Sequence, residues 1–130
     1  MRLPDQLRAD MLDVIKVDLE SLPSMKIKFY NDSSILLAEI EFSEIDLEIA
    51  EQTYLRPKRL ITSTDSDLIG TVSASGVVSN FIIPMNSYGD ITGSVGAIGS
   101  QSDIKFNNLS WAINAIIRIP DLKIIIEQGT

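Results

Sequence analysis

The change of hydrophobic period at Pro23 constrains the fold of this chain more than any other feature. Before it, apolar residues recur at three- and four-residue steps, the spacing of one helix face. After it, "MKIKFY" (25–30) and "ILLAEIEF" (35–42) alternate apolar with charged residues, the two-residue period of strands. Because proline cannot continue a helix, we predict an amphipathic N-terminal helix over residues 1–22. Its apolar stripe consists of Leu3, Leu7, Met11, Val14, Ile15 and Leu22.

Strand and turn signals fill the rest of the chain. "NDSS" (31–34) predicts the turn of a hairpin, with Leu36, Ala38, Ile40 and Phe42 of the second strand facing inward. "NSYGD" (86–90) predicts a second hairpin turn, in which Gly89 adopts positive φ. Residues 43–56 fit either a strand or a short helix, and we treat them as a connection. About eight short strands predict a mainly β fold, a β-sandwich or jelly roll, as a single domain over 23–130.

Composition removes several classes of function. The chain has neither cysteine nor histidine, which removes thiolate nucleophiles, the usual zinc ligands and the commonest general base. We therefore expect no enzyme and no cofactor. A net charge of −7 repels phosphate backbones and anionic headgroups, so we expect neither nucleic acid nor membrane as a partner. The charged N-terminus is not that of a secretion signal, and no apolar run is long enough to span a bilayer.

The stretch "ITGSVGAIGSQSDIKFNN" (91–108) tests whether glycines mark a phosphate-binding loop. Its glycines follow a G-x-x-G-x-x-G order, without the Lys of a Walker loop or a following helical period. We predict that Gly93 and Gly96 lie within a strand and Gly99 at its terminal bend.

Clusters of charge give three weaker candidates. Glu44 and Glu48 are candidates for a carboxylate pair, although acids interleaved with apolar residues are more often a solvated face. Asp65 and Asp67 have the spacing of two calcium ligands, but the rest of an EF-hand loop is missing and a turn is the better interpretation. A basic cluster of Arg56, Lys58 and Arg59 fits either a partner's acids or local salt bridges.

Aromatic residues suggest one further alternative. Trp111 is the chain's single tryptophan, and we predict a core or interface anchor. A carbohydrate-binding or adhesin β-sandwich would instead use Trp111 with Tyr54 and Tyr88 on one exposed face.

The order of turns and strands resembles a family of small structural proteins of tailed phages and prophages. The resemblance is carried by an N-terminal helix and a series of short segments downstream. These segments are "KIKFY" (26–30), "LLAEIEF" (36–42), "NSYG" (86–89), "GSVG" (93–96), "DIKFN" (103–107) and a final strand over 115–126. The chain departs from the family between residues 43 and 60, where acidic sequence replaces a phenylalanine-proline stretch.

The resemblance implies a virion structural protein, made in the host cytoplasm and located in the virion. Its leading version is a capsid decoration or cement protein, and a tail, collar or fibre component is the near alternative. The implied partners are the major capsid protein or other virion proteins, and sister subunits in a homo-oligomer, a dimer or trimer. The expected interface residues are Leu3, Leu7, Met11, Val14, Arg56, Lys58, Arg59 and Trp111.

Overall fold

The computed structural model describes residues 2–42, 47–51, 54–57, 68–119 and 123–125, and structural statements refer to these ranges. Helix α1 spans Asp5–Glu20 and is followed by strands. They are β1 Met25–Tyr30, β2 Leu36–Phe42, β3 Leu47–Ala50, β4 Tyr54–Pro57, β5 Leu68–Val72, β6 Gly76–Val77, β7 Asn80–Pro84, β8 Asp90–Ala97, β9 Ile104–Phe106, β10 Ser110–Trp111, β11 Ile116–Ile119 and β12 Ile124–Ile125. The predicted helix is confirmed: it begins after Pro4, which is extended, and ends before Pro23.

Most strands belong to one curled sheet. Its order is β11-β5-β2-β1-β7-β8-β9, and it closes nearly into a barrel. Only the β8–β9 pair in this sheet is parallel. A three-stranded sheet, β12-β4-β3, contacts α1, and β6 pairs with β10. The mainly β class with one N-terminal helix is therefore confirmed, and the arrangement is consistent with a β-sandwich.

The β1–β2 hairpin forms where alternation predicts it. The strands pair antiparallel, with Lys26 opposite Glu41 and Lys28 opposite Glu39. Opposite charges facing each other across a ladder favour that register. The Asn31 side chain closes the turn by accepting backbone hydrogen bonds from Ser33 and Ile35, both at 2.9 Å. This is the turn chemistry that "NDSS" predicts.

The expectation that Leu36 faces inward is wrong. Leu36 is exposed, whereas Leu37 is fully buried beside buried Ala38. The ladder has an irregularity here: Phe29 pairs with Ala38 but Tyr30 pairs with Leu36. Such a bulge places an extra residue on one strand and reverses the alternation beyond it.

The segment that we treated as a connection contains a second hairpin. β3 and β4 pair antiparallel, from Leu47 opposite Pro57 to Ala50 opposite Tyr54. Glu51 follows β3 with a φ of 55°. Leu47 and Leu55 are buried, so this small sheet has an apolar side, and α1 packs against it.

The glycine-rich stretch is architectural, as predicted. Gly93 and Gly96 lie in β8, and Gly99 lies in the turn after it with a φ of 93°. A Cβ on Gly93 would lie 2.5 Å from the ring of Phe81 on β7. The absence of a side chain at Gly93 is therefore required by the close approach of that ring.

An aromatic cluster occupies the core inside the curled sheet. Phe29, Phe106 and Trp111 are buried and meet edge to face, with centroid separations of 5.1 to 5.7 Å. The indole N–H of Trp111 donates to the Asn108 carbonyl at 2.8 Å. Leu12 and Leu19 of α1 belong to the same buried cluster, so the helix is part of the core.

Candidate functional site

Helix α1 has two apolar faces, of which only one is covered. Leu12 and Leu19 are fully buried, with Ile15 and Leu22 packed partly beside them. On the other face four apolar side chains are between 39% and 59% exposed. We call these four residues the exposed helix face: Leu7, Met11, Val14 and Val17.

Most of the predicted interface stripe lies on this uncovered side. Leu7, Met11 and Val14 are exposed there, and Leu3 is half-buried near the start of the helix. Ile15 and Leu22, which we placed on the same stripe, pack instead against the core. Arg8 is also buried, with its Nη1 3.5 Å from Asp5 Oδ1. A long arginine stem can cover apolar surface in this way.

Asp18 fixes how α1 is rotated about its axis. Its carboxylate is buried and accepts backbone hydrogen bonds from Asn86 at 2.9 Å and Ser87 at 3.1 Å. The Asn86 amide also donates to the Ser21 hydroxyl at 2.9 Å. The C-terminal end of the helix is thereby attached to the turn between β7 and β8.

The charge of Asp18 is stabilised by those bonds. Burial raises the pKa of the Asp18 carboxyl, but the hydrogen bonds from Ser87 and Asn86 outweigh it and hold the pKa below its usual 3.8. Hydrogen bonds to the ionised form favour that form. The attachment is therefore strongest when Asp18 is charged.

Glu20 attaches the same helix end to the small sheet. Its Oε2 accepts the backbone N–H of Leu47 on β3 at 3.1 Å, and its Oε1 lies 2.8 Å from the ammonium of Lys16. Asp18 and Glu20 therefore attach the C-terminal end of α1 to two different parts of the fold, and these contacts favour the observed rotation of the helix.

Arg56, the described member of the basic cluster, is committed to a local salt bridge. Its Nε lies 2.6 Å from Glu48 Oε1 across the β3–β4 hairpin. The hydrogen bond that Arg56 donates to Glu48 raises the pKa of the Arg56 guanidinium. Two cations lie near the Tyr54 ring, with Arg56 Cζ 5.9 Å and Lys123 Nζ 4.7 Å from the ring centroid. Lys58 and Arg59 lie outside the described residues.

The three aromatics proposed for a sugar platform occupy different environments. Trp111 is buried in the core, Tyr88 is exposed in the β7–β8 turn, and Tyr54 lies on the three-stranded sheet. A stacking platform needs an exposed ring face, which buried Trp111 does not offer.

Of the four acids considered for catalysis or metal binding, only Glu48 lies in the described part of the chain. Glu48 is paired with Arg56, and Glu44, Asp65 and Asp67 lie outside the described residues. Within the described ranges, no three acids lie close enough to hold a metal ion. No described helix is both long and apolar enough to cross a membrane.

Sequence reasoning missed Asp18 entirely. It lies in the last turn of α1, where an acid opposes the helix dipole. That unfavourable placement is the one sequence signal that marks it. Its partners are 68 and 69 residues away in the chain, and no local pattern connects them.

Comparison of the chain with family models, curated proteins and solved structures found no match. None of these comparisons links it to the phage family that its motifs resemble.

Proposed function

We propose that this protein is a non-enzymatic structural subunit that works by burying the exposed helix face against other protein subunits. On the resemblance described above, the assembly is a tailed-phage virion, and the role is decoration or cementing of the capsid. The observation that supports a role in subunit contact is the uncovered apolar side of α1.

The geometry of that side supports contact with protein. Leu7, Met11, Val14 and Val17 follow steps of four, three and three residues, which resemble the apolar seam of packed helices. Contiguous exposed apolar surface on a soluble domain marks interaction sites. Because Asp18 and Glu20 fix the helix, a partner would not have to order it, and association loses less entropy.

The virion assignment is supported by the resemblance alone. The quoted segments "KIKFY" and "LLAEIEF" form β1 and β2, and "NSYG" forms the β7–β8 turn. The partners we propose are sister subunits, in a dimer or trimer, and the major capsid protein. Decoration proteins gain avidity from many weak contacts at high effective concentration, which suits a modest apolar face.

Light scattering after size-exclusion chromatography tests subunit contact. The double variant Met11→Ser/Val14→Ser should convert a discrete oligomer to monomer, while Asp13→Ser, another exposed position on α1, should not. A wild-type monomer that also fails to bind purified capsids would overturn the docking role. These variants are cleaner than deletion of residues 1–22, which would also remove buried Leu12 and Leu19.

Mass spectrometry of purified particles tests the virion assignment separately. Particles induced from cells that carry the gene should contain the protein at a copy number comparable to the capsid protein. Immunogold labelling then distinguishes head from tail. Particles without the protein would refute the virion role and leave the oligomerisation result intact.

A further inference from the structure

A groove of about 570 Å³ lies between the two strands that end the curled sheet. β9 and β11 terminate the seven-stranded order, so within the described ranges neither pairs on its outer side. Residues 105–108 and 115–118 form the two walls of the groove, and Ile98 and residues 110–112 complete its lining. We call this space the seam groove.

The lining pattern shows that the seam groove runs along strand edges. Successive residues of a strand point to opposite faces of the sheet, so a pocket on one face is lined by alternate residues. In the seam groove, consecutive residues form the lining on both sides. Residues 105–108 include the end of β9, and residues 115–118 include the first part of β11. The groove therefore gives access to the backbone edges of both strands.

The β11 wall continues past a bend into β10. Ile116 pairs with Thr71, and Trp111 pairs with Gly76. Trp111 comes five residues before Ile116 in the chain, and Gly76 comes five residues after Thr71. The register is the same on both sides of the bend, where Asn114 has a φ of 72°. β10 and β11 thus form one interrupted edge.

Exposed aliphatic side chains border this edge. Ile116 is 73% exposed and Ile98 is 65% exposed, above lining residues Phe106, Trp111 and Ile117 that are buried. Charge at an edge protects it against unselective pairing, and Lys105 and Arg118 supply charge here. Exposed isoleucines beside an unpaired edge nevertheless suit the side chains of an added strand whose charge is complementary.

The charged residues that the structure describes in the lining of the seam groove are both basic. They are Lys105 and Arg118, in a chain whose net charge is −7. A basic side chain at the groove favours carboxylates and disfavours cationic segments.

We propose that the seam groove binds an extended segment of a partner protein in which apolar residues alternate with acids, added as a β-strand along the β10–β11 edge. Backbone hydrogen bonds would supply the pairing, Ile116 and Ile98 the apolar contact, and Lys105 the preference for acids.

We assign the occupant to a different protein because the described segment of this chain that best matches the pattern, β2, is already paired on both sides, with β1 and β5. β3 has a similar pattern and, within the described ranges, pairs only with β4. Docking of a second copy through the outer edge of its β3 is therefore an outcome that the test must distinguish. The proposal is independent of the exposed helix face, since α1 does not line the groove.

Trp111 provides a direct reporter, since it is the single tryptophan and lines the groove. The probe is a fluorescein-labelled, acetylated peptide EVEIEVEI for anisotropy, with an unlabelled copy for Trp111 emission. We expect saturable binding and a change in Trp111 emission. The peptide KVKIKVKI should bind about tenfold more weakly or not at all, and a version N-methylated on alternate amides should not bind, because it cannot pair with an edge.

Two charge reversals locate the site. Lys105→Glu should weaken EVEIEVEI binding about tenfold, while Arg2→Glu, the same charge change at an exposed position outside the groove lining, should leave it unchanged. Ile116→Glu should abolish it, and because Ile116 is largely exposed this variant should remain folded, which circular dichroism checks.

Three peptide-binding results would overturn the proposal. They are no binding of EVEIEVEI, equal binding of the acidic and basic peptides, and binding unaffected by Lys105→Glu. Self-association of the wild type that Ile116→Glu disperses would assign the groove to a second copy and refute it equally. The helix variants Met11→Ser/Val14→Ser should leave peptide binding unchanged, so the two proposals can fail separately.

Discussion

The two apolar faces of α1 carry similar side chains but have opposite roles. Leu12 and Leu19 are fully buried against the sheets, whereas Leu7 and Met11, on the same helix, remain exposed. Hydrophobic character alone does not separate them. The difference teaches that attachment points decide which apolar stripe of a helix becomes core, and here those points are the carboxylates of Asp18 and Glu20.

Truncating the same residue type on each face should give the largest contrast. Leu12→Ala removes a fully buried side chain and leaves a cavity, and should lower the free energy of unfolding by about 3 kcal/mol. Leu7→Ala should change it by about 0.5 kcal/mol or less, because Leu7 is 44% exposed. Urea denaturation of both variants measures the difference, and equal losses would contradict the orientation of the helix.

Removing the attachment at Asp18 should have the next largest effect. Asp18→Asn loses the charge and one of the two oxygens that accept the Asn86 and Ser87 amides, so the melting temperature at pH 7 should fall by several degrees. Asp13→Asn, an exposed acid on α1, is the control and should melt within about a degree of the wild type. A variant as stable as the wild type would show that Asp18 does not hold the helix.

Acid should remove the same stabilisation from the wild type. The pKa of Asp18 is lowered in the folded protein, so its contribution is present above the unfolded value, about 3.8, and is lost as pH falls through the lower folded value. The stability difference between wild type and Asp18→Asn should therefore be full at pH 7 and shrink below about pH 4. Paired denaturation curves at several pH values measure it, and a constant difference would assign the effect to packing.

The exposed face should affect association more than stability. Met11→Ser/Val14→Ser should alter the free energy of unfolding of a monomer by only about 0.5 kcal/mol per site. Light scattering should nevertheless report the loss of any oligomer. A large drop in monomer stability would mean that these residues belong to the core.

Several elements of the fold could be predicted from short stretches of sequence. The β1–β2 hairpin follows from alternation and the Asn31 turn, and Gly89 takes the positive φ, 83°, that "NSYGD" predicts. The structural role of the β8 glycines could also be predicted, because this stretch lacks the residues that a phosphate-binding loop needs. Each of these inferences depends on neighbours within a few positions.

The candidate surfaces were only partly predictable. The stripe of Leu7, Met11 and Val14 was visible as apolar, but its exposure was not. The seam groove was not predicted, since it joins β9 to the β10–β11 edge, strands whose proximity depends on how the whole sheet curls. Trp111 was recognised as an anchor, and its three-ring cluster with Phe29 and Phe106 could not be read from spacing.

By itself, the sequence determined a helix before Pro23, strands after it and the positions of the tight turns. It also determined an acidic composition without histidine or cysteine. These features depend only on local periodicity, backbone preference and composition. Only the tertiary structure decided that Leu37 faces the core instead of Leu36, that α1 leaves one apolar face uncovered, and that two strand edges meet at a groove. Those outcomes depend on a bulge, on the hydrogen bonds that Asn86 and Ser87 donate to Asp18, and on sheet curvature. The bulge, the hydrogen bonds and the curvature all depend on contacts between residues that are distant in the chain, and local periodicity carries no information about such contacts.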